Sequence, residues 1–279
     1  MSDAATPYAG RTIAFATMHR KEELARQAFA LILGARITAP KLDTDQFGTF
    51  AGDIPRTLSP IDAARAKAEL GMRITGLASA IASEGSFSAE FGWATRQTEH
   101  VLFRDEERGI ELVESTTAAF PVPPGRHITD RADALSYARR IGFPAQGLII
   151  QGHRAERIEP FKNVRSDADL ERIVDQLLAQ NVPVSVLPDY RAHRSPARAA
   201  TIRALCTRLA HRLATPCPDC GAPGFGRVGI IRGLPCALCR TPTHIPTADQ
   251  LGCGVCQATE TRPRRQSLAD PQWCDRCNP

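Results

Sequence analysis

The 279-residue sequence has no long apolar segment and no apolar run behind basic residues at its start. Its apolar stretches, such as residues 77–82 and 147–150, are far shorter than the roughly 20 residues that cross a bilayer. We therefore expect no transmembrane protein, no secretory signal and, by default, a cytoplasmic location. With 43% hydrophobic and 23% charged residues, the chain is long enough for one large core or two domains.

Lysines are absent and aromatic residues are scarce in the C-terminal third. From residue 188 onwards there are 13 arginines and six acidic residues, a net charge of +7, whereas the rest of the chain has a net charge of −2. This asymmetry favours a polyanionic partner such as nucleic acid, although a solvated arginine-rich helix gives the same count. Only Tyr190, Phe225 and Trp273 could stack on bases there.

Short apolar runs alternate with helical periodicity along the first two thirds of the chain. Runs such as residues 11–16 and 182–187 predict buried strands, and the segments between them repeat apolar residues every three or four positions. This alternation predicts an α/β fold with a mixed or largely parallel sheet flanked by helices. The predicted division is an α/β domain at 1–187, an arginine-rich helix packed on it at 188–215, and a zinc-binding module at 216–279.

Eight of the nine cysteines form four Cys-x2-Cys pairs near the C-terminus. Each pair can place two thiolates on one metal ion, and two pairs complete a tetrahedral shell. The sequence therefore predicts two structural zinc sites in a small double zinc-ribbon module, because the absence of a secretory signal argues against disulfides. The spacing favours sequential pairing of neighbouring knuckles and leaves a cross-braced arrangement open. The predicted ligands are Cys217, Cys220, Cys236, Cys239, Cys253, Cys256, Cys274 and Cys277.

An acidic stretch, residues 41–56, is the first candidate for a catalytic site. It contains Asp43, Asp45 and Asp53, with glycines that let its backbone turn. These carboxylates, together with Glu84 at the expected end of a buried strand, are the oxygen ligands that Mg²⁺ or Mn²⁺ prefers. The alternative is a solvated loop in which the aspartates cap turns.

Basic side chains follow two of the predicted strands. Lys21 lies at the head of a helix after the first strand, Lys67 lies on the next helix, and a further cluster follows the strand at residues 182–187. Such clusters predict phosphate or carboxylate binding, with surface salt bridges as the alternative. The predicted substrate-binding residues are Lys21, Arg56, Lys67, Arg191, His193 and Arg194.

Several segments together resemble an uncharacterised bacterial family that has a zinc-ribbon tail and no established activity. In order along nearly the whole chain, they are TMHRKE, DTDQFGTFAGDIPR, KAELG, ASEGSF, RAHRSPAR, CPDCGAPGFG, GLPCALC and CDRCNP. The chain departs from the family pattern at two places. Ser88-Ala89-Glu90-Phe91 stands where Gly-Pro-His-Pro is expected, and Tyr190 replaces the methionine of Asp-Met-Arg.

The N-terminal half is also similar to nucleoside triphosphate pyrophosphatases of the inosine triphosphatase type. The similarity rests on the order of a strand, residues 17–21 at a helix head, an Ala-x-x-Lys-Ala helix and a buried strand before Glu84. It implies that Lys21 and Lys67 hold phosphate and that Glu84 serves a metal ion and the attacking water. The asparagine that this family has in the segment at residues 17–21 is missing.

Two functions follow as hypotheses. The first is a divalent-metal-dependent hydrolase that acts on a nucleotide or another phosphorylated small molecule, with His19 or His193 moving protons. The second is a nucleic-acid- or protein-binding module that uses the zinc ribbons and the basic helix. In either case, closed four-thiolate zinc sites are expected to brace the fold rather than to catalyse.

Overall fold

The computed structural model describes residues 6–48, 54–91, 93–155 and 157–279. The chain divides into two compact units, Met1–Leu209 and Ala210–Pro279, which we call the first unit and the second unit. The three-part division predicted from the sequence stays a prediction. No helix within the described ranges has the length and apolar character needed to cross a membrane.

The first half of the first unit is built from β1 (Thr12–Phe15), α1 (Glu22–Ala28), β2 (Arg36–Thr38), α2 (Pro60–Thr75), β3 (Ser79–Glu90), β4 (Ala94–Asp105) and β5 (Ile110–Phe120). The five strands form one sheet in the order β2-β1-β3-β4-β5. β2 and β3 run parallel to β1 on its two sides, whereas β3, β4 and β5 pair antiparallel. The prediction of an α/β fold with a mixed sheet is confirmed.

The sequence sets both ends of α2 locally. The side chain of Ser59 accepts a hydrogen bond from the backbone N–H of Asp62, and the helix ends at Gly76, whose φ of +68° is a left-handed conformation. Gly71 lies inside the helix, where an added Cβ would stand 3.2 Å from the Cβ of Ala16. The glycine therefore lets α2 pack closely against the end of β1.

β3 is longer than the sequence predicts, and this changes the position of Glu84. β1 pairs with β3 only as far as Phe15 and Ile81, but β3 continues beside β4 to Glu90. Glu84 therefore lies inside a strand and not at its end, because antiparallel pairing with β4 extends β3 beyond its parallel neighbour. It still stands just past the carboxyl end of β1.

The second half of the first unit contains a smaller sheet. Its elements are β6 (Arg126–Ile128), α3 (Arg131–Ile141), β7 (Leu148–Arg154), β8 (Arg157–Phe161), α4 (Asp167–Ala179), β9 (Val184–Pro188) and α5 (Pro196–Leu213), whose last four residues belong to the second unit. The strands pair antiparallel in the order β6-β9-β7-β8. A Cβ at Gly152 would meet Leu177 of α4, so the alternate residues Ile149 and Gln151 of β7 lie on the face away from that helix.

The second unit contains a three-stranded antiparallel sheet of β10 (Gly226–Arg232), β11 (Pro246–Gly252) and β12 (Thr259–Pro263). Its apolar cluster is small, with Phe225 and Leu251 packed against Cys217 and Cys253. So small a core contributes little hydrophobic stabilisation, so we expect metal binding to supply much of the folding free energy of this unit.

Candidate functional site

A polar pocket lies at the carboxyl end of β1, beside β3. In open α/β sheets, ligands bind outside the carboxyl ends of the strands, at the point where the strand order reverses. Here β1 lies between β2 and β3, so the order reverses at β1. We call this site the basic pocket. It is lined by Ala16, Thr17, His19, Lys21, Thr44, Asp45, Gly48, Arg56, Lys67, Ser83, Glu84, Ile149, Lys162, Arg191 and Arg198.

Lys21 is buried in the wall of the basic pocket. Its Nζ donates a hydrogen bond to the backbone oxygen of Ser83 at 3.1 Å. Burial, followed by the positive charge of Arg198, lowers the pKa of Lys21 to about 7. The hydroxyl of Ser83 is also buried and has no hydrogen-bond partner among the described residues. The charged form of Lys21 has three N–H donors and uses one of them on Ser83, so an oxygen of a ligand in the pocket can accept from the others.

Lys67 of α2 and Glu84 of β3 form a buried ion pair in the same pocket. Burial by itself raises the pKa of Glu84, but the charges of Lys67 and Lys21 and the hydrogen bond from Lys67 hold that pKa below its ordinary value. Glu84 is therefore ionised at neutral pH, and Lys67 neutralises it. The structure brings these three predicted residues together, and their individual roles stay predictions.

Arg56 and Arg191 reach the pocket from two loops. Arg56 donates a hydrogen bond from Nη1 to the backbone oxygen of Gly85 at 3.1 Å. Arg191 contacts the buried carboxylate of Asp189 through Nη2 at 2.6 Å and donates to the backbone oxygen of Lys162 at 2.7 Å. These contacts hold both predicted guanidinium groups at the pocket.

Arg198 of α5 is held by a buried carboxylate of the first sheet. Its Nε and Nη2 donate to Glu99 at 2.9 and 3.0 Å, and its Nη1 donates to the backbone oxygen of Tyr190 at 2.8 Å. A Cβ at Gly85 would stand 2.6 Å from Nη2 of Arg198, so only glycine leaves room for this pair. Arg198 was not among the predicted binding residues, although it ends the segment RAHRSPAR.

Two predicted histidines lie together at the pocket. The rings of His19 and His193 are 5.4 Å apart, and His19 lines the pocket. Burial, followed by the charge of Lys21, lowers the pKa of His19 to about 3, and burial also lowers the pKa of His193. Both imidazoles are therefore neutral at pH 7 and can accept a hydrogen bond. Arg194 lies outside the lining and donates to the backbone oxygen of Val164 at 2.8 Å.

The predicted aspartates of the acidic stretch do not all line the basic pocket. Asp45 lines the basic pocket, whereas Asp43 is exposed and its Oδ1 accepts a hydrogen bond from the backbone N–H of Asp45 at 2.8 Å, which caps a turn. Asp53 lies outside the described residues. Within the described part of the chain, no three carboxylate or imidazole groups lie close enough together to hold a metal ion. Asp43, Asp45 and Glu84 are thus not assembled as one ligand set.

The charges that line the pocket are unbalanced. Lys162 joins Lys21, Lys67 and the three arginines, so six cationic side chains face the carboxylates of Asp45 and Glu84. Even when the partners Glu99 and Asp189 are included, positive groups outnumber negative ones. The pocket is therefore suited to an anion. Nothing in the sequence around Lys162 marks it as a site residue.

The eight predicted cysteine ligands form two four-cysteine groups, each able to hold a metal ion. Four of the Sγ–Sγ distances across the groups are 3.5 to 3.9 Å, and all four sulfurs of each group lie within 4.8 Å of one another. Four sulfurs around a tetrahedral zinc ion, at bonds of about 2.3 Å, lie roughly 3.8 Å apart. The residues after three of the knuckles, Gly221, Arg240 and Gln257, have positive φ angles, which turn the chain back over each site. This geometry is consistent with zinc.

The pairing of the knuckles is crossed, and the expectation of sequential pairing is wrong. Cys217 and Cys220 join Cys253 and Cys256, and the second knuckle joins the fourth. The cause is the antiparallel sheet, in which Gly226 at the start of β10 pairs with the last residue of β11. The knuckle before β10 and the knuckle after β11 therefore meet at one end of the sheet.

Residues 67–279, which are most of the chain, match the model of a family described as a domain of unknown function (DUF6671). The chain therefore belongs to this family, as the sequence segments indicate. No curated protein matches the chain. The similarity to inosine triphosphatases accordingly stays a prediction.

Proposed function

We propose that the basic pocket binds a small phosphorylated molecule and hydrolyses its phosphate ester or anhydride. The description of the family to which the chain belongs assigns no activity, so the proposal rests on the pocket. The observation that carries the proposal is the excess of cationic side chains over carboxylates at the carboxyl end of β1, among which Lys21, Lys67 and Arg198 are buried. Phosphate suits this set, because it presents several oxygens and more negative charge than one carboxylate.

The residues of the pocket fall into two groups, cationic side chains that can bind phosphate and a histidine that can contact the attacking water. Lys21, Arg56 and Arg191 are held by neighbouring backbone or carboxylate oxygens and can donate to phosphate oxygens. A pKa of about 3 makes His19 too weak a base to take a proton at neutral pH, so its imidazole would orient an attacking water by accepting a hydrogen bond, and the proton would pass to bulk water. In such a reaction negative charge develops on the phosphoryl oxygens, and fixed cations stabilise that charge.

A divalent cation, Mg²⁺ or Mn²⁺, belongs to this proposal as a partner of the substrate phosphates. Mg²⁺ commonly binds through one or two carboxylates and the phosphates themselves. Asp45 is the half-exposed carboxylate of the lining, whereas Glu84 is neutralised by Lys67. Asp45 is therefore the residue that would contribute to such an ion.

Phosphate binding is tested by titrating pyrophosphate into the full-length protein. Lys21→Met should weaken binding at least ten-fold, and the matched variant Lys41→Met, at an exposed lysine outside the pocket, should leave it unchanged. Pyrophosphate that does not bind, or that binds Lys21→Met as tightly as the wild type, would overturn the proposal.

Hydrolysis is tested separately by phosphate release from a panel of nucleotides and sugar phosphates with Mg²⁺ or Mn²⁺. We expect release that stops on chelation of the divalent ion and that falls in His19→Gln without loss of pyrophosphate affinity. Binding without release from any compound would reject the hydrolase and leave a binding protein.

For the second unit, we propose that both four-cysteine groups bind Zn²⁺ and stabilise the fold. The nucleic-acid alternative depends on positive charge, and this unit has eight arginines and five acidic residues. Each zinc ion with four thiolates carries a charge of −2, so two filled sites bring the unit to a net −1. Phe225 is buried and unable to stack on a base. We therefore favour the basic pocket as the functional site.

A further inference from the structure

Two histidines and a serine form a polar cluster on the smaller sheet of the first unit, and none of them lines the basic pocket. His127 lies on β6, Ser185 on β9 and His153 on β7, which are neighbouring strands in the order β6-β9-β7. Nδ1 of His127 lies 3.0 Å, and Nε2 of His153 lies 2.8 Å, from the hydroxyl oxygen of Ser185. Both imidazoles therefore direct a ring nitrogen at one point. We call these three residues the histidine cluster.

The register of the sheet brings the histidine cluster together. His127 and Gln151 stand directly opposite Ser185, on the strands at its two sides. His153 is two residues from Gln151, so the two side chains lie on the same face of the sheet. Gly152 between them faces α4, so this is the face away from that helix. Backbone pairing of three strands therefore fixes the positions of the two imidazoles relative to the hydroxyl.

The separation of the two rings suits a pair of imidazoles that share one metal ion. Their centres are 5.5 Å apart and their planes are inclined by 52°. With metal–nitrogen bonds of about 2.0–2.1 Å and a tetrahedral angle between them, two imidazole rings have centres roughly 5 Å apart. Small rotations of the side chains would therefore let both nitrogens bind the same ion.

A metal ion can also reach the histidine cluster from solvent. His127 is exposed and His153 is half-buried, whereas Ser185 is buried. A serine hydroxyl has one hydrogen, so it can donate to only one of the two ring nitrogens, and the other nitrogen must donate to it. A metal ion instead accepts a lone pair from both nitrogens, and water can fill the positions on its exposed side.

The charges on the neighbouring residues are directed away from the cluster. Arg126 of β6 donates to Asp133 of α3, and Arg154 of β7 donates to Gln180 at the end of α4. Both arginines are adjacent in sequence to a histidine of the cluster, so their side chains point to the opposite, helix-covered face of the sheet. They therefore place their positive charges on the other side of the sheet from a bound cation.

The histidine pair of the basic pocket provides a contrast. The rings of His19 and His193 are 5.4 Å apart, which is almost the same separation. That pair lies among the cations of the basic pocket, including Lys21, which would repel a metal ion. Ring separation alone therefore does not identify a metal site, and the charge around the two pairs favours the histidine cluster.

We propose that the histidine cluster is a third metal site, which binds a divalent transition-metal ion such as Zn²⁺ or Ni²⁺. Imidazole nitrogen suits these ions, whereas Mg²⁺ and Ca²⁺ prefer oxygen ligands. Nδ1 of His127 and Nε2 of His153 bind the ion, the hydroxyl of Ser185 lies beside it, and water completes its shell. Unlike the closed four-cysteine groups, such a site has positions at which an outside ligand can replace water.

The first test titrates Ni²⁺ into the full-length protein, which is first loaded with Zn²⁺ and then passed over a weak chelator that strips loosely held zinc. We expect one Ni²⁺ to bind per chain. His127→Gln and His153→Gln should each weaken this binding at least ten-fold, because each removes one of two nitrogen ligands. His211→Gln is the matched control at an exposed histidine of α5 and should leave the affinity unchanged.

The second test adds a ligand and keeps both histidines. Ser185→Cys places a thiol at the point on which the two ring nitrogens converge, with little change in side-chain size. Titrated with Co²⁺ after the same zinc loading, this variant should bind the ion at least ten-fold more tightly than the wild type and add a thiolate-to-cobalt absorption band. It tests the site even where a histidine variant does not fold.

Several results would overturn the inference. They are a wild type that binds no Ni²⁺, an affinity that survives both His127→Gln and His153→Gln, and a Ser185→Cys variant that binds Co²⁺ no more tightly than the wild type. Each would leave a hydrogen-bonded cluster that joins three strands. Loss of Ni²⁺ binding in His19→Gln would instead locate the ion at the basic pocket. None of these results depends on pyrophosphate binding, so the proposed function is tested independently.

Discussion

Arg198 and Glu99 form a two-point ion pair, with nitrogen–oxygen distances of 2.9 and 3.0 Å, although they lie on α5 and β4. Both side chains are almost fully buried, and Gln97 adds a hydrogen bond to the carboxylate at 3.1 Å. The pair joins α5 to the first sheet at the edge of the basic pocket. The ion pair therefore fixes the position of the Arg198 side chain, which lines the basic pocket.

Breaking this pair should destabilise the first unit strongly. Glu99→Gln leaves the Arg198 guanidinium buried without a neutralising charge, which typically costs about 3–5 kcal/mol in the free energy of unfolding. Glu107→Gln is the matched control, because Glu107 pairs with Arg11 at the exposed surface and should matter little. Urea unfolding followed by circular dichroism measures both. Equal stability of the two variants would contradict the structural role assigned to the pair.

Anion binding at the basic pocket should depend on pH through Lys21. Since the pKa of Lys21 is lowered to about 7, its ammonium is charged below that pH and neutral above it. Affinity for sulfate, whose own charge is constant in this range, should therefore fall as the pH rises from 6 to 8.5. His19, with a pKa of about 3, does not titrate there.

The control for this pH dependence is Lys21→Met, which should bind sulfate weakly at all pH values from 6 to 8.5. Isothermal titration at several pH values gives the two profiles. A wild-type affinity that stays constant across pH 7, or an unchanged slope in Lys21→Met, would show that another group governs the binding.

The parts of the fold that depend on local chemistry could be predicted from the sequence. The helix N-caps Ser59 and Ser166 are determined by residues within the first turn of each helix. The alternation of strands and helices is likewise determined by the residues of each element. The meeting of Lys21 with Glu84 was also predictable, because both were expected beside parallel strands at one edge of the sheet.

The parts that depend on distant pairing could not be predicted. Strand β8, Arg157–Phe161, contains Pro160 and lacks clear alternation, so only its pairing with β7 defines it. The burial of Arg198 depends on a carboxylate 99 residues earlier in the chain. Asp43 illustrates the converse case, because the carboxylate that the sequence assigns to a site also caps a local turn.

The crossed pairing of the cysteines predicts which variants keep a zinc site. Serine at Cys217, Cys220, Cys253 and Cys256 removes one group and leaves the other complete, so this quadruple variant should retain one zinc ion per chain. Serine at the first two knuckles instead leaves half of each site and should retain none. Metal analysis, with cobalt substitution to report four-thiolate ligation, measures the outcome. Sequential pairing predicts the reverse result.

Removal of zinc should act on one unit only. The second unit has a small apolar cluster, so chelation should expose its backbone amides to hydrogen exchange, while the first unit, with a large core of its own, stays protected. Hydrogen exchange with mass spectrometry resolves the two regions. Protection of the second unit that survives complete removal of metal would contradict the assigned role of zinc.

Removal of either member of the buried pair Lys67 and Glu84 should lower stability, whereas the two variants should change anion binding in opposite directions. Glu84→Gln leaves the Lys67 ammonium buried near Lys21 without a neutralising carboxylate, so stability should fall by about 3–5 kcal/mol. The same change adds to the positive charge of the pocket, so pyrophosphate should bind more tightly. Lys67→Met should cost less stability, because Glu84 keeps Lys21 as a cationic neighbour, and it should weaken pyrophosphate binding.

The pH dependence of this difference has a definite sign. The pKa of Glu84 is lowered in the folded protein, so its contribution to stability is present above its unfolded pKa of about 4.3 and is lost as the pH falls through the folded value. The stability gap between the wild type and Glu84→Gln should therefore close as the pH falls below about 4.3, well below the pKa of about 7 at which Lys21 titrates. Urea unfolding between pH 3 and 7 measures this gap. A gap that widens in acid would mean that Glu84 is protonated in the native state and that Lys67 has another counter-charge.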